Sequence, residues 1–147
     1  MMHFLNLIRF KNLLLIAFVQ ILVKYVLFDA LIGYVSIEAI DEFTALNTIQ
    51  FTVLVLATLF ITAAGYIIND IQDIETDLIN KPNKAIIDKH IKENTAFNIY
   101  FGLTITGVAL GMYVANSVGK NAFLALFVLV AGLLYVYATS LKAKPLI

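Results

Sequence analysis

Residues 49–77 read IQFTVLVLATLFITAAGYIINDIQDIETD. About twenty residues with the apolar content of a membrane span run directly into Asn69, Asp70, Asp73, Glu75 and Asp77. Charge at membrane depth is costly, so acids placed there usually serve a function. On a helix Asp70, Asp73 and Asp77 stand at i, i+3 and i+7, and Asn69 and Asp73 at i, i+4, so one face carries all four. Asp73 and Asp77 repel one another unless a cation lies between them. Clustered carboxylate and amide oxygens suit a hard divalent ion, and Mg²⁺ commonly joins one or two protein carboxylates to a phosphate while keeping several waters. The pattern therefore predicts a platform for a metal-bridged phosphate. A solvated acidic helix end is the plain alternative, weakened by the preceding membrane run and by the cationic stretch Asn80-Lys81-Pro82-Asn83-Lys84 that follows. Lys81 is four residues from Asp77, within reach on a helix, and Pro82 stops that helix.

Outward from this stretch, the composition places most of the chain in lipid. The 147 residues are 61% hydrophobic and 14% charged, with a mean hydropathy of +0.91, values of a membrane protein. Net charge is +0, which gives no reason to expect a nucleic-acid partner, and with no cysteine there is no disulfide framework or thiolate chemistry. Four apolar segments approach spanning length: Leu13 to Phe28, Ile49 to Ile68, Ala96 to Ala115 and Ala122 to Leu141. Lipid leaves an open backbone only the helix, so the expected fold is all-α, a polytopic bundle of four transmembrane helices forming a single domain over 1–147. The first segment carries Gln20 and Lys24, the latter expected to snorkel or pair within the bundle. It lacks a small-residue cleavage site, so no removable signal is expected.

Basic residues set the orientation. With the amino terminus inside, Arg9, Lys11, Lys81, Lys84, Lys89, Lys92, Lys142 and Lys144 fall on the cytoplasmic side and only Lys120 outside. The Asp motif is then cytoplasmic. Gly107 and Gly111 make a G-x-x-x-G step suited to packing inside the bundle. The loop from Asn80 to Asn94 is long enough to fold over a site, with Asp88 to Glu93 as a candidate short helix, and His3 and His90 are too isolated in sequence to suggest a metal or base.

Asn69-Asp70-x-x-Asp73-x-x-x-Asp77 resembles the first aspartate-rich motif of the UbiA superfamily of intramembrane prenyltransferases, and Asn80-Lys-Pro-Asn-Lys-Ala-Ile86 resembles the N-R-P-x-R-P-[IL] element after it. Arg9-Phe-Lys-Asn12 resembles the superfamily's R-P-x-N, and Tyr135 to Lys142 its Tyr-rich, Leu-Lys end of helix four, so the likeness runs along essentially the whole chain. Lys81 and Lys84 stand in place of arginines, and Phe10 and Ala85 in place of prolines. Lysine holds phosphate as a point charge without the bidentate fork. The resemblance implies the amino-terminal half of a nine-helix fold whose second D-x-x-x-D motif lies beyond these residues.

It also implies an activity: Mg²⁺-dependent transfer of a polyprenyl group from its diphosphate to a small acceptor. By motif position Asn69, Asp70, Asp73 and Asp77 would be the metal ligands, with the three aspartates catalytic, and Asn69, Lys81 and Lys84 diphosphate contacts. Tyr66, Asn12 and Lys142 are further substrate-binding candidates, Tyr66 because it shares the acid face and could steady an allylic cation with its ring. The Asn-Lys-Pro-Asn-Lys form looks similar to bacterial geranylgeranylglycerol-phosphate geranylgeranyltransferase-like members. That likeness implies a glycerol phosphate acceptor, with an aromatic quinone precursor as the alternative, and a bacterial inner membrane. Oligomeric state is not legible. A CDP-alcohol phosphotransferase needs D-x-x-D-G-x-x-A-R, which the residues after Asp73 do not provide. A soluble prenyl diphosphate synthase is excluded by the hydrophobicity. The competing reading is a non-catalytic four-helix membrane protein or degenerate fragment that binds Mg²⁺ or a partner, and residues 1–147 alone are expected to be inactive.

Overall fold

The computed structural model describes residues 2–28, 46–80, 86–120 and 122–141. Among the described residues six α-helices follow one another: α1 Met2–Leu7, α2 Phe10–Leu22, α3 Thr48–Gln72, α4 Ile74–Asn80, α5 Glu93–Ser117 and α6 Ala122–Val136. Wider π-helical turns, Val23–Phe28 and Tyr137–Leu141, extend α2 and α6. Among the described residues four helical runs are long and apolar enough to cross a membrane: Phe10–Phe28, Thr48–Gln72, Glu93–Ser117 and Ala122–Ser140. The expected four-span, all-α architecture is the one observed. This is an integral membrane protein.

The helix ends follow local chemistry. Asn47 starts α3 through a capping box: its side chain accepts from the Gln50 N–H at 2.9 Å, and the Gln50 side chain accepts from the Asn47 N–H at 2.9 Å. Helix α5 stops in a Schellman arrangement, with the Gly119 N–H bonded to the Asn116 carbonyl and the Lys120 N–H to the Ala115 carbonyl, each at 3.0 Å. Gly119 at φ 68 supplies the left-handed residue that this stop requires.

Helix α3 is the central element: its apolar window is 39% buried, against 6% for those of the first and last spans. Ala57, Ile61, Ala64 and Ile68 recur along its buried face at helical spacing, the first two against Gly107 of α5 and the last two in one cluster with Ala96 and Tyr100. The glycine step acts inside the bundle, as the sequence predicts. A Cβ on Gly107 would lie 2.7 Å from Ile61 Cγ1 and 3.2 Å from the Ala57 carbonyl oxygen, while one on Gly111 would strike the Phe127 ring of α6. The first span joins α3 through Gln20, whose Nε2 donates to Thr58 Oγ1 at 2.9 Å. Lys24 donates to the Leu46 carbonyl at 2.8 Å and sits 4.5 Å above the Phe51 ring, so it pairs within the bundle.

At 1.5 Å per residue, the 25 residues of α3 measure about 37 Å, more than the roughly 30 Å of hydrocarbon. Its polar residues Asn69, Asp70 and Gln72 gather in the last turn, at its carboxyl end. The end of α1, the start of α2, the end of α3, the turn and first residues of α5 and the π-helical end of α6 meet there, around Leu7, Leu13, Ile68, Ile87, Ala96 and Ala138. Residues 86–92 differ from expectation: they form a tight turn in which Asp88 takes φ 64 and its N–H bonds the Ile91 carbonyl at 2.9 Å. That geometry excludes the helix anticipated from Asp88. Ile87 is buried and Ile86 and Ile91 pack beside it, so this half of the anticipated lid is part of the core.

Candidate metal and diphosphate site

Asn69 and Asp70 close α3, Asp73 caps it at φ −95 and ψ 3, and Asp77 lies in α4. The sequence predicts a continuous helix here; the structure breaks it at Asp73. The break is mild, because the Asp73 N–H still bonds the Asn69 carbonyl at 3.1 Å and the Asp77 N–H the Asp73 carbonyl at 2.7 Å. Helical spacing thus survives across it, and the four predicted residues keep a common character. Asn69, Asp70, Asp73 and Asp77 are half-buried, whereas Gln72 and Glu75 are exposed. The Asn69 amide donates to Asp73 Oδ2 at 3.2 Å, which ties the end of α3 to the residue that caps it.

Asp70 has a partner that helical spacing could not reveal. Arg9 Nη2 donates to Asp70 Oδ1 at 2.9 Å, an ion pair between residues 61 apart. The same guanidinium lies 4.8 Å from the centre of the Tyr66 ring, so the face of that candidate residue is covered by Arg9. Arg9 holds a left-handed backbone, φ 51 and ψ 53, at the junction of α1 and α2. For a residue with a side chain that conformation costs about 1–2 kcal/mol. The pair is 44% exposed on its arginine side and 20% on its aspartate side, and exposed pairs return only about 0–1 kcal/mol. The ion pair alone does not repay the strain, which directs attention to the position of the guanidinium.

The remaining predicted residues divide. Asn12 is exposed on the first turn of α2, three residues beyond Arg9. Lys81, Lys84 and Lys142 lie outside the described residues. Tyr100 is buried and stacks on Tyr135 with centroids 6.5 Å apart, a packing role, while Tyr137 is exposed. The histidines dismissed as isolated are brought together: the rings of His3 and His90 stack at 3.8 Å, tying α1 to the turn before α5. Among the described residues no three His, Cys, Asp or Glu side chains are gathered for a metal. Mg²⁺ does not require that, since one or two carboxylates with phosphate oxygens and water complete its shell. The donor set of Asn69, Asp70, Asp73 and Asp77 fits such an ion chemically. Toward the other end of the bundle an apolar cavity of about 700 Å³ is lined by Thr58, Ile61, Thr62, Val114, Phe123 and Phe127, among others. Thr62 is eight residues before Asp70, about 12 Å along the axis.

Residues 13–147 match the model of the UbiA prenyltransferase family. A digeranylgeranylglyceryl phosphate synthase of Methanosarcina mazei is 32% identical over 145 residues, covering 98% of this chain and 47% of the relative. The enzyme of that name from Sulfolobus acidocaldarius is 38% identical over 120 residues, covering 81% of this chain and 40% of the relative. A solved structure from work on digeranylgeranylglyceryl phosphate synthase in membranes superposes with a TM-score of 0.72 at 30% identity, covering 95% of this chain and 43% of that one. The chain spans about half the length of the relatives it matches.

Proposed function

The chain belongs to the UbiA prenyltransferase family, and from that premise we propose that it supplies the first acid motif of an enzyme transferring a prenyl group from its diphosphate to a prenylated glycerol phosphate. The observation that carries this reading is the half-buried face of Asn69, Asp70, Asp73 and Asp77, set at the polar end of α3. Mg²⁺ bound there would link carboxylate to diphosphate and offset the charge on the departing group. The aspartates hold the diphosphate end of the donor at the membrane boundary, and Lys81 and Lys84 add cationic contacts to its oxygens. Tyr66 has one ring face under the Arg9 guanidinium, and its other face would favour the allylic cation as the bond to oxygen breaks. The acceptor hydroxyl then forms the new carbon–oxygen bond and gives up its proton. The apolar cavity suits a hydrocarbon chain, having few polar groups of its own, and Thr58 and Thr62 already donate to the Val55 and Thr58 carbonyls. By the positive-inside rule the acid face lies toward the cytoplasm.

The glycerol phosphate acceptor is favoured over an aromatic acid because both relatives described above are named for such a product. Vesicles carrying the full-length protein and labelled geranylgeranyl diphosphate are expected to label geranylgeranylglyceryl phosphate at least tenfold faster than a hydroxybenzoate, since a missing polar partner in a built site is strongly rejected, by on the order of 10⁴-fold at best. Preferential labelling of the hydroxybenzoate would reverse the acceptor assignment.

A further inference from the structure

We propose that Arg9 is the resting counter-ion of Asp70 and exchanges that carboxylate for diphosphate oxygens when a divalent ion reaches the acid face. The proposal rests on the metal–diphosphate reading of that face and adds to it a residue with two successive partners. Three observations meet at Arg9. Its guanidinium contacts Asp70 Oδ1 at 2.9 Å, the position a cation would need. Its backbone is held left-handed at the junction of α1 and α2, and from there the side chain reaches Asp70 at the end of α3. Its plane lies near the Tyr66 ring, which steadies the group while leaving further donors of the fork to bind elsewhere.

The electrostatics of the exchange are consistent. A half-buried carboxylate beside Asp73 and Asp77 is disfavoured without a cation, and Arg9 supplies one in the resting state. A divalent ion offers Asp70 more charge at shorter range, and the freed guanidinium then meets an anion carrying several oxygens. Planar forks match phosphate oxygens in pairs, so the released arginine gains contacts where it lost one. The chain thus avoids exposing a bare acid before the donor binds, and retains a cation for the donor once metal is present.

Mn²⁺ is also taken by oxygen ligands in octahedral geometry and can be counted by its spin resonance, which makes it the probe, with inorganic pyrophosphate as the anion. In the full-length protein, Arg9→Asn removes the charge while keeping a side chain that tolerates the left-handed backbone. Without pyrophosphate this variant should bind Mn²⁺ on the order of three- to tenfold more tightly than the unaltered protein, because a competing cation is gone. With pyrophosphate its advantage should reverse, with the anion strengthening Mn²⁺ binding on the order of tenfold less than it does normally. Arg9→Lys, which keeps the charge and loses the fork, should match the unaltered protein without pyrophosphate and fall short of it with pyrophosphate. Equal weakening under both conditions would mean a merely structural arginine and would overturn the proposal, as would unchanged affinity in both variants. If the unaltered protein itself takes up no Mn²⁺ under either condition, the metal reading fails first and this inference with it.

Discussion

Changing Asp73 to alanine in the full-length protein is expected to lower prenyl transfer on the order of 100- to 1,000-fold while leaving the protein inserted and folded. The magnitude is that of removing one preorganised group that meets charge developing at the reacting centre. Asp73 is the hinge of the acid face, accepting from the Asn69 amide at 3.2 Å and sitting at the break between α3 and α4. Alanine also favours helix, so it could straighten that break. Asp73→Asn keeps the shape and polarity of the side chain and removes the charge, and it is expected to lose activity as well. Radiolabelled prenyl diphosphate in vesicles gives the rates, and near-normal turnover in both variants would remove Asp73 from the site.

The second large effect is structural. Gly107→Leu should destabilise the detergent-solubilised protein by about 3 kcal/mol, the upper end of what overpacking a filled core costs. The reason lies in what a side chain there would meet: Ile61 Cγ1 at 2.7 Å, then the α3 backbone at the Ala57 carbonyl oxygen and the Ile61 nitrogen, both at 3.2 Å. A backbone wall cannot turn aside as a flexible side chain can. Gly102 lies one and a half turns away on the same helix with nothing within 4 Å of a Cβ, so Gly102→Ala should be neutral or stabilising by up to about 1 kcal/mol. Denaturation in mixed micelles measures both. Equal effects from the two substitutions would show that close approach of α5 to α3 is not what Gly107 provides.

These two positions also show what a sequence can carry. The spans, the glycine step and the shared acid face are properties of spacing along one helix, and helical spacing is nearly all that was needed for them. Partners between helices have no such signature. Arg9 and Asp70 are 61 residues apart, and His3 and His90 meet only because α1 and the turn before α5 reach the same end of the bundle. The motif Arg9-Phe-Lys-Asn12 carried a family likeness, but the residue singled out from it was Asn12 and Arg9 was given no role in the site. The left-handed turns at Arg9 and Asp88 were equally hidden, since neither residue is a glycine that would have announced one. At Asp73 the local pattern favoured a continuous helix, and the observed break occurs at the polar end of α3, where α4 begins.

Calorimetric titration of Mg²⁺ into the full-length protein in detergent, with geranylgeranyl diphosphate present, bears most directly on the acid face. Saturable uptake that requires the diphosphate and is lost in Asp73→Ala is the predicted result. Uptake that is absent, or that persists undiminished without Asp73, would contradict the role given to the end of α3.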